Sequence, residues 1–313
     1  MMHKKIALAA ALLASSALGF ELNCEPCVER SNKVVRAIYH GDVDDPFWDP
    51  IEKAAAQAGR DFNIDFESTL YENYNPTQMA ADIRAATSQN VDALIVTLPS
   101  AEVEEAVKEA VEKGIAVFGL NSGYKSAAEI GIHVMVAQDE YLAGELAAQR
   151  FLTEMGNQPV ISKAVFVNHE KGNVGLQDRF DGFKDGILSF NPNAIVKEVF
   201  IDVTTSEEEA AKELEAEIGS CTADVVLNGG NLASVYTLEA IEDLENKCTG
   251  DNGTKKALVG TFDTSEEIYM AIDSGDLLFA ISQQPHLQAV LPVMFATQYV
   301  TTGMLPAKPL GSH

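Results

Sequence analysis

The sequence has few basic side chains for its length. Its 313 residues contain 22 Lys and Arg against 47 Asp and Glu, which gives a formal net charge of -25 at pH 7. The acids are spread along the chain instead of forming one tail. Such a surface repels phosphate backbones and anionic lipids, so the composition argues against a protein that binds nucleic acid or a membrane surface. It is typical of a globular protein with a solvated acidic surface.

The sequence also lacks the short motifs of common enzyme classes. It has no G-x-S-x-G, no P-loop and no G-x-G-x-x-G after a predicted strand. The 6 His and 4 Cys do not have the spacing of a metal site. With 47 acids in the chain, paired carboxylates carry little information. We therefore predict that the protein is not an enzyme and has no metal or cofactor.

Long hydrophobic runs are confined to the amino terminus. Lys4 and Lys5 precede an apolar stretch, and residues 17–19 form a small-x-small cleavage site. We predict a signal peptide over residues 1–19 and a protein exported to the periplasm or secreted. The stretch is too short to span a bilayer, and no later segment approaches about 18 apolar residues.

Cysteine is scarce, and the pairing of its four positions is left open. Cys24 and Cys27 lie in a polar leader segment, residues 20–32, where "CEPC" is either a disulfide or, less in keeping with its context, a redox pair. Cys221 precedes a predicted strand and Cys248 follows the next helix, which would bring them close together. An even number of cysteines in an exported protein favours disulfides.

The chain contains a repeated alternation of strands and helices. Continuous apolar runs such as "VDALIVTL" fit buried parallel strands. Runs such as "AEVEEAVKEAVEKG" have helical periodicity and end in glycine. The alternation begins again after "IAVFGL". This pattern predicts an α/β protein with two Rossmann-like lobes, each built on a parallel sheet.

Polar and aromatic side chains follow the predicted strands, where open α/β sheets bind ligands. Phe47 and Trp48, the only tryptophan, lie in a predicted loop between a strand and a helix. Amides, carboxylates and an Arg fork suit hydroxyl groups, and aromatic rings stack on C–H faces. We predict a small, neutral, polyhydroxylated ligand. The candidate ligand-binding residues are Asp45, Phe47, Trp48, Thr97, Asn121, Ser122, Arg179, Asn231, Asp263 and Gln283.

Motifs along most of the chain resemble one family. The sequence is similar to the type I periplasmic binding proteins, in the sugar-binding branch of the ribose binders, which is related to the core of the LacI-type regulators. The resemblance runs from about residue 33 to 303. The motifs that carry it are "DPFW", "VDALIVTLPS", "GIAVFGLNSG", "VAQDEYLAGELAA", "NHEKGNVGLQDRFDGF", "VGTFDTSEE" and "FAISQQP".

The resemblance implies two lobes joined by a three-strand hinge. The expected N-terminal lobe comprises residues 33–137 and 264–282, and the expected C-terminal lobe comprises residues 138–263 and 283–313. The crossings are expected near residues 137–140, 263–265 and 283–286. The expected hinge residues are Ala137, Gln138, Thr264 and Gln284.

The resemblance also bears on the ligand. Arg179, Asp263 and Gln283 match the family's contacts directly. Asn121 and Ser122 stand where ribose-type binders hold ring hydroxyls with an Asp-Arg pair, which argues against ribose. Another pentose, a polyol or a furanose-like signal molecule fits as well.

The expected function is that of an exported, monomeric solute-binding protein that closes on its ligand and delivers it to an ABC-type permease. The alternative is a ligand-sensing module of the same fold, either a receptor ectodomain or a chemosensory or quorum-type binding protein. Amino-acid ligands are a third option, less in keeping with the two aromatic residues. The sequence ends at "PAKPLGSH", short of the family's usual final strand, so a truncated chain and a further domain both stay open.

Overall fold

The computed structural model covers most of the chain outside its two ends. The predicted signal peptide, the leader segment with Cys24 and Cys27, and Cys221 lie outside the described residues, as does the side chain of Cys248. The signal peptide and the disulfides therefore stay predictions. Among the helices that are described, none combines the length and the apolar character needed to cross a membrane. The structure describes residues 31–43, 45–156, 161–202, 212, 214, 223–248 (241–248 as backbone only) and 257–306.

The first half of the chain forms a parallel five-stranded sheet. Its strands are β1 (Val34–Asp42), β2 (Asp65–Tyr71), β3 (Ala93–Val96), β4 (Ala116–Leu120) and β5 (Val134–Val136). Its helices are α1 (Trp48–Asp61), α2 (Pro76–Ser88), α3 (Ala101–Glu112) and α4 (Ala127–Ile130). The strand order is β2-β1-β3-β4-β5. Strands β3 and β4 are apolar and buried throughout, because helices cover both faces of a parallel sheet.

The second half repeats this arrangement. Its strands are β6 (Lys163–Asn168), β7 (Ile195–Phe200), β8 (Val225–Asn228), β9 (Leu258–Phe262) and β10 (Phe279–Ile281). Its helices are α5 (Glu140–Met155), α6 (Val174–Phe190), α7 (Asn231–Cys248) and α8 (Glu266–Ser274). The strand order is β10-β9-β8-β6-β7, and every pair is parallel. The predicted fold class, with two lobes built on parallel sheets, is confirmed.

The last described helix, α9 (Pro285–Thr302), returns to the first lobe. Its buried Ala289 and Val293 share a core with Ile51 of α1 and Phe118 of β4. Helix α8 belongs to the second lobe, since Ile268 packs in a core with strands of the second sheet.

These contacts correct the predicted division of the chain. Segment 264–282 was expected in the N-terminal lobe but lies in the second, and the described part of segment 283–313 packs on the first. The physical reason is that β9, α8 and β10 form one βαβ unit, whose second strand pairs beside the first. The chain can therefore change lobe only after β10.

The described residues cross between the lobes at 137–139 and at 282–284. Ala137 and Gln138 lie in the first crossing. Gln284 lies in the second, where its left-handed backbone (φ 56°) turns the chain into α9. Thr264 lies between β9 and α8, inside the second lobe, so the predicted crossing at 263–265 was wrong.

Candidate functional site

A cleft between the two lobes is lined by residues that follow strands of both sheets. This is the position at which ligands of open α/β sheets bind. The cleft adjoins a second interlobe cavity of about 470 Å³. The residues that line both spaces are His40, Asp45, Trp48, His169 and Glu170.

Most of the predicted ligand-binding residues line this cleft, whereas Thr97 and Asn231 are not among its lining residues. The Thr97 hydroxyl is buried and accepts a hydrogen bond from the His40 backbone N–H at 3.0 Å, so it ties β1 to β3. Asn231 is buried at the start of α7, and its backbone N–H donates to Asp263 Oδ2 at 3.1 Å. The predicted residues in the cleft are Asp45, Phe47, Trp48, Asn121, Ser122, Arg179, Asp263 and Gln283.

Two aromatic side chains form one wall of the cleft. The prediction placed both in a loop, but α1 begins at Trp48, with Phe47 at its N-cap position. The Phe47 and Trp48 rings meet edge to face, with centroids 5.1 Å apart, and His40 meets Trp48 in the same way at 4.9 Å. Gly41 makes room for the indole, because a Cβ at that position would overlap the ring. The wall is therefore held in place before any ligand arrives.

Arg179, the cation among the residues lining the cleft, is engaged by the protein itself. Its Nε donates to Glu140 Oε2 at 2.5 Å, its Nη2 to Glu140 Oε1 at 2.9 Å, and its Nη1 to the Gly229 carbonyl at 2.5 Å. Burial alone would lower the pKa of Arg179, but the Glu140 carboxylate raises it. A guanidinium has five N–H groups, so Arg179 keeps some donors for a ligand while its charge is matched by Glu140.

Close contact between α5 and α6 creates this ion pair. A Cβ added to Gly144 would overlap the Arg179 carbonyl oxygen, and one added to Gly182 would overlap the Tyr141 carbonyl oxygen. The two helices approach closely because these positions carry no side chain. Glu140 begins α5, and Arg179 lies in the second turn of α6.

A line of hydrogen bonds connects the strand ends of the two lobes. Gln283 Nε2 donates to Asp263 Oδ1 at 2.5 Å, and Asn121 Nδ2 donates to Gln283 Oε1 at 3.2 Å. Asn121 and Asp263 both have left-handed backbone, with φ of 62° and 71°. Asn and Asp tolerate this conformation better than most residues, which fits their place at the turns after β4 and β9. Burial raises the pKa of Asp263 although Arg179 opposes the shift.

Two further carboxylates face the cleft from opposite lobes. Asp45 follows β1 and Glu170 follows β6. Burial raises the pKa of each to about 7, and the negative charge of Asp42 adds to both shifts. Burial lowers the pKa of His40 to about 3 and that of His169 to about 4, so both imidazoles are neutral at neutral pH.

Sequence reasoning missed several residues of the cleft. Glu140 is the ion-pair partner of Arg179. Its position directly after the first crossing between the lobes is the sequence feature that could have indicated a place in the cleft. Asn173 caps α6, because its Oδ1 accepts from the backbone N–H of Gly175 and Leu176 at 2.9 and 3.2 Å. The Ser122 hydroxyl donates to the same oxygen at 3.4 Å from the other lobe.

The cleft combines aromatic rings with hydrogen-bonding side chains. In the part of the chain that the structure describes, no group of three or more His, Cys, Asp or Glu residues is arranged to hold a metal ion. The aromatic wall suits apolar C–H faces, and the amides and carboxylates suit hydroxyl groups.

Comparison with known proteins identifies relatives of similar architecture. The chain is 25% identical over 275 residues to the xylose/arabinose-binding protein XylF of Sulfolobus acidocaldarius, a match that covers 83% of this chain but only 64% of that protein. It is 21% identical over 309 residues to the ribose import binding protein RbsB of Haemophilus influenzae, covering 98% of this chain and 97% of the relative.

A solved structure shares the fold. A carbohydrate transporter from Acidothermus cellulolyticus, in complex with myo-inositol, superposes with a TM-score of 0.77 at 24% identity, covering 88% of this chain and 90% of that one. Residues 38–303 match the family described as the periplasmic binding protein domain. That match spans most of the chain, and the protein therefore belongs to the periplasmic binding protein family.

Proposed function

We propose that this protein is an exported solute-binding protein that closes on a monosaccharide, polyol or furanose-like ligand and delivers it to an ABC-type importer. The observation that carries the proposal is the interlobe cleft, in which an aromatic wall from one lobe faces carboxylates and amides from both. The names of the relatives support it, since they refer to xylose, arabinose and ribose, and the solved structure contains myo-inositol.

The proposed mechanism is a shift between open and closed forms. A ligand that touches both lobes binds the closed form better than the open one, and it stabilises that form by the difference in affinity. Phe47 and Trp48 would stack on its C–H face, and Asn121, Asp263 and Gln283 would bond its hydroxyl groups. An importer would then distinguish the closed from the open protein by the position of the lobes.

Trp48 supplies a direct measurement. It is the only tryptophan in the sequence and lies in the cleft, so tryptophan fluorescence reports on this site alone. We expect the emission to change on titration with one member of a panel of pentoses, hexoses, inositols and furanosyl compounds. The same compound at about 100 times its dissociation constant should add about 2.7 kcal/mol to the free energy of unfolding, a rise of several degrees in Tm.

Two variants test whether the ligand binds in the cleft. Trp48→Phe should weaken binding by about 0.5–1.5 kcal/mol through poorer stacking. Tyr269→Ala, which changes an exposed aromatic residue of α8, should leave the affinity unchanged. A thermal shift with amino acids and none with any sugar or polyol would contradict the proposal.

Export is the remaining part of the proposal, and it rests on the leader sequence. Expression of the whole chain in a bacterium with an outer membrane should release a periplasmic protein whose amino terminus is residue 20. Retention of the intact chain in the cytoplasm would contradict export while leaving the ligand-binding proposal standing.

A further inference from the structure

The cleft is lined by more carboxyl groups than cationic groups. Arg179 is matched by Glu140 through two hydrogen bonds, so it cannot also neutralise another carboxylate of the cleft fully. Asp263 is held by donors from Gln283 and the Asn231 backbone. Asp45 and Glu170 are left over. Among the described residues, no Lys or Arg forms an ion pair with either of them, and the nearest basic group is the neutral imidazole of His40, 4.0 Å from Glu170.

Asp45 and Glu170 stand on different lobes and line the same space. Asp45 Oδ1 accepts from the Phe47 backbone N–H at 3.0 Å, and Glu170 Oε2 accepts from Asn173 Nδ2 at 3.0 Å. Each carboxylate keeps further lone pairs for a ligand. The negative charge of Asp45 adds to the raised pKa of Glu170, so the two carboxylates are near enough to repel each other, and a neutral ligand would leave that repulsion in place.

Two neighbours of this pair also indicate a ligand. His40 is about nine-tenths buried and lines both spaces, and its Nε2 lies 4.0 Å from Glu170 Oε2. Trp48 also lines both spaces. An aromatic face beside carboxylates is the setting in which proteins hold organic cations. No cluster suited to a metal ion is found among the described residues, which leaves an organic cation as the better match.

We infer that the ligand carries a protonated amino group on its polyhydroxylated body and that this group lies between Asp45 and Glu170, against Trp48. The inference rests on the proposed function and narrows its ligand class to amino sugars and amino polyols. It departs from the neutral ligand that the sequence predicted. The ammonium would join the two lobes by charge-assisted hydrogen bonds, which strengthen closure.

Lys171 does not remove the need for such a group. It lines the outer cavity, but it is exposed, and its ammonium stands over the Phe200 ring at 5.6 Å. The other charged groups that line the two spaces are Asp42, Glu140, Lys171, Arg179, Asp202 and Asp263, and His40 and His169 line them as neutral imidazoles.

Matched pairs of compounds test the inference. Titration calorimetry would compare D-glucosamine with D-glucose, D-galactosamine with D-galactose, and an aminodeoxy-inositol with myo-inositol. N-acetyl-D-glucosamine provides a neutral derivative. We expect the amine of at least one pair to bind about tenfold or more tightly than its neutral partner, as loss of a charge-assisted hydrogen bond implies. Equal or tighter binding by every neutral partner overturns the inference and leaves the proposed function intact. Silence with both members of every pair overturns the inference, and the proposed function is overturned as well only if the wider panel of pentoses, hexoses, inositols and furanosyl compounds is also silent.

Variants separate the ammonium site from the hydroxyl site. Glu170→Gln should weaken binding of the amine about tenfold or more and leave binding of the neutral partner nearly unchanged. Glu112→Gln, on the exposed face of α3, is the matched control and should change neither. An equal loss for amine and neutral compound would assign Glu170 to hydroxyl binding and overturn the inference.

Proton release gives an independent readout. A bound ammonium lowers the pKa of nearby carboxyls, which at pH 7 are partly protonated in the free protein. Binding should therefore release protons at pH 7, and the observed enthalpy should vary with the ionisation enthalpy of the buffer. Proton uptake on binding of the amine would contradict an ammonium between the two carboxylates.

Discussion

At the scale of single residues, the ion pair between Arg179 and Glu140 has the largest expected effect on stability. The two side chains are 5% and 6% exposed. Glu140→Gln leaves a buried guanidinium without its counter-charge, and we expect the free energy of unfolding to fall by about 3 kcal/mol. This is the lower end of the range for such losses, because the amide oxygen of Gln still accepts a hydrogen bond. Urea unfolding of the two proteins measures this difference.

The same helix offers a control for this prediction. Arg150 and Glu154 form an exposed ion pair in α5 at 3.0 Å. Glu154→Gln should cost less than about 0.5 kcal/mol, because solvent screens an exposed pair. Similar losses for Glu140→Gln and Glu154→Gln would show that the buried pair is not held as described.

Glu170 gives the stability of the protein a pH dependence of defined sign. Burial raises its pKa from 4.5 to about 7, so the folded state keeps the proton to a higher pH than the unfolded chain does. The resulting stabilisation is fully present below pH 4.5 and is lost as the pH rises through about 7. The wild type should therefore lose more stability between pH 5 and pH 8 than Glu170→Gln, as measured by urea midpoints.

The two buried histidines act in the opposite direction. The lowered pKa values of His40 and His169 give stabilisation that is present above pH 6.5 and is lost as the pH falls through about 4 and below. Because both imidazoles stay neutral in the folded protein between pH 5 and pH 8, the difference between variant and wild type over that range isolates the carboxyl of Glu170. A difference that does not change with pH would contradict the raised pKa of Glu170.

At the scale of elements, two helices begin with the same cap in different surroundings. Asn173 caps α6 in the cleft, and Asn75 caps α2 in the first lobe by accepting from Thr77 and Gln78 N–H groups at 2.9 and 3.2 Å. Replacing either by Ala should lower the free energy of unfolding by about 1 kcal/mol.

Binding distinguishes the two caps. Asn173→Ala also removes the contacts with Ser122 and Glu170, so it should weaken ligand binding, whereas Asn75→Ala should not. Fluorescence titration of both variants measures this. If Asn173→Ala binds the ligand as tightly as the wild type does, Asn173 caps α6 and has no part in ligand binding.

At the scale of the whole molecule, the net charge of -25 predicts a response to salt. Self-repulsion destabilises a compact, highly charged protein, and salt shortens the screening length from about 10 Å at 0.1 M to about 3 Å at 1 M. We expect Tm at pH 7.5 to rise with NaCl over this range. Near pH 4.5, the sequence pI, the rise should be much smaller. An equal rise at both pH values would contradict repulsion as its cause.

The order of helices and strands followed from local pattern. "ALIV" and "AVFGL" are apolar at every position, and the structure makes both of them buried strands. Such patterns depend on only a few neighbouring residues, so they can be recognised without knowing which strands and helices pack together in the fold. The start of α1 was harder to predict from the sequence. The helix begins at Trp48, and the side chain of Phe47 at the N-cap position forms no capping hydrogen bond.

The residues of the cleft were predictable in part. Asn121, Asp263 and Gln283 follow strands, and parallel strands all end at one edge of their sheet, so topology alone brought them to the site. The same reasoning placed Thr97 at the ligand site, but in the structure its hydroxyl accepts a hydrogen bond from the His40 backbone N–H inside the first lobe.

The sequence by itself therefore determined the alternating elements, the acidic surface and the side chains at the strand ends, since each depends on composition or on neighbours along the chain. Only the tertiary structure decided that β10 stays in the second lobe while α9 returns to the first. It alone paired Arg179 with Glu140, which are 39 positions apart, and brought Asp45 and Glu170 to the same cleft. The physical reason is that these contacts depend on how whole helices and lobes pack, which no local pattern encodes.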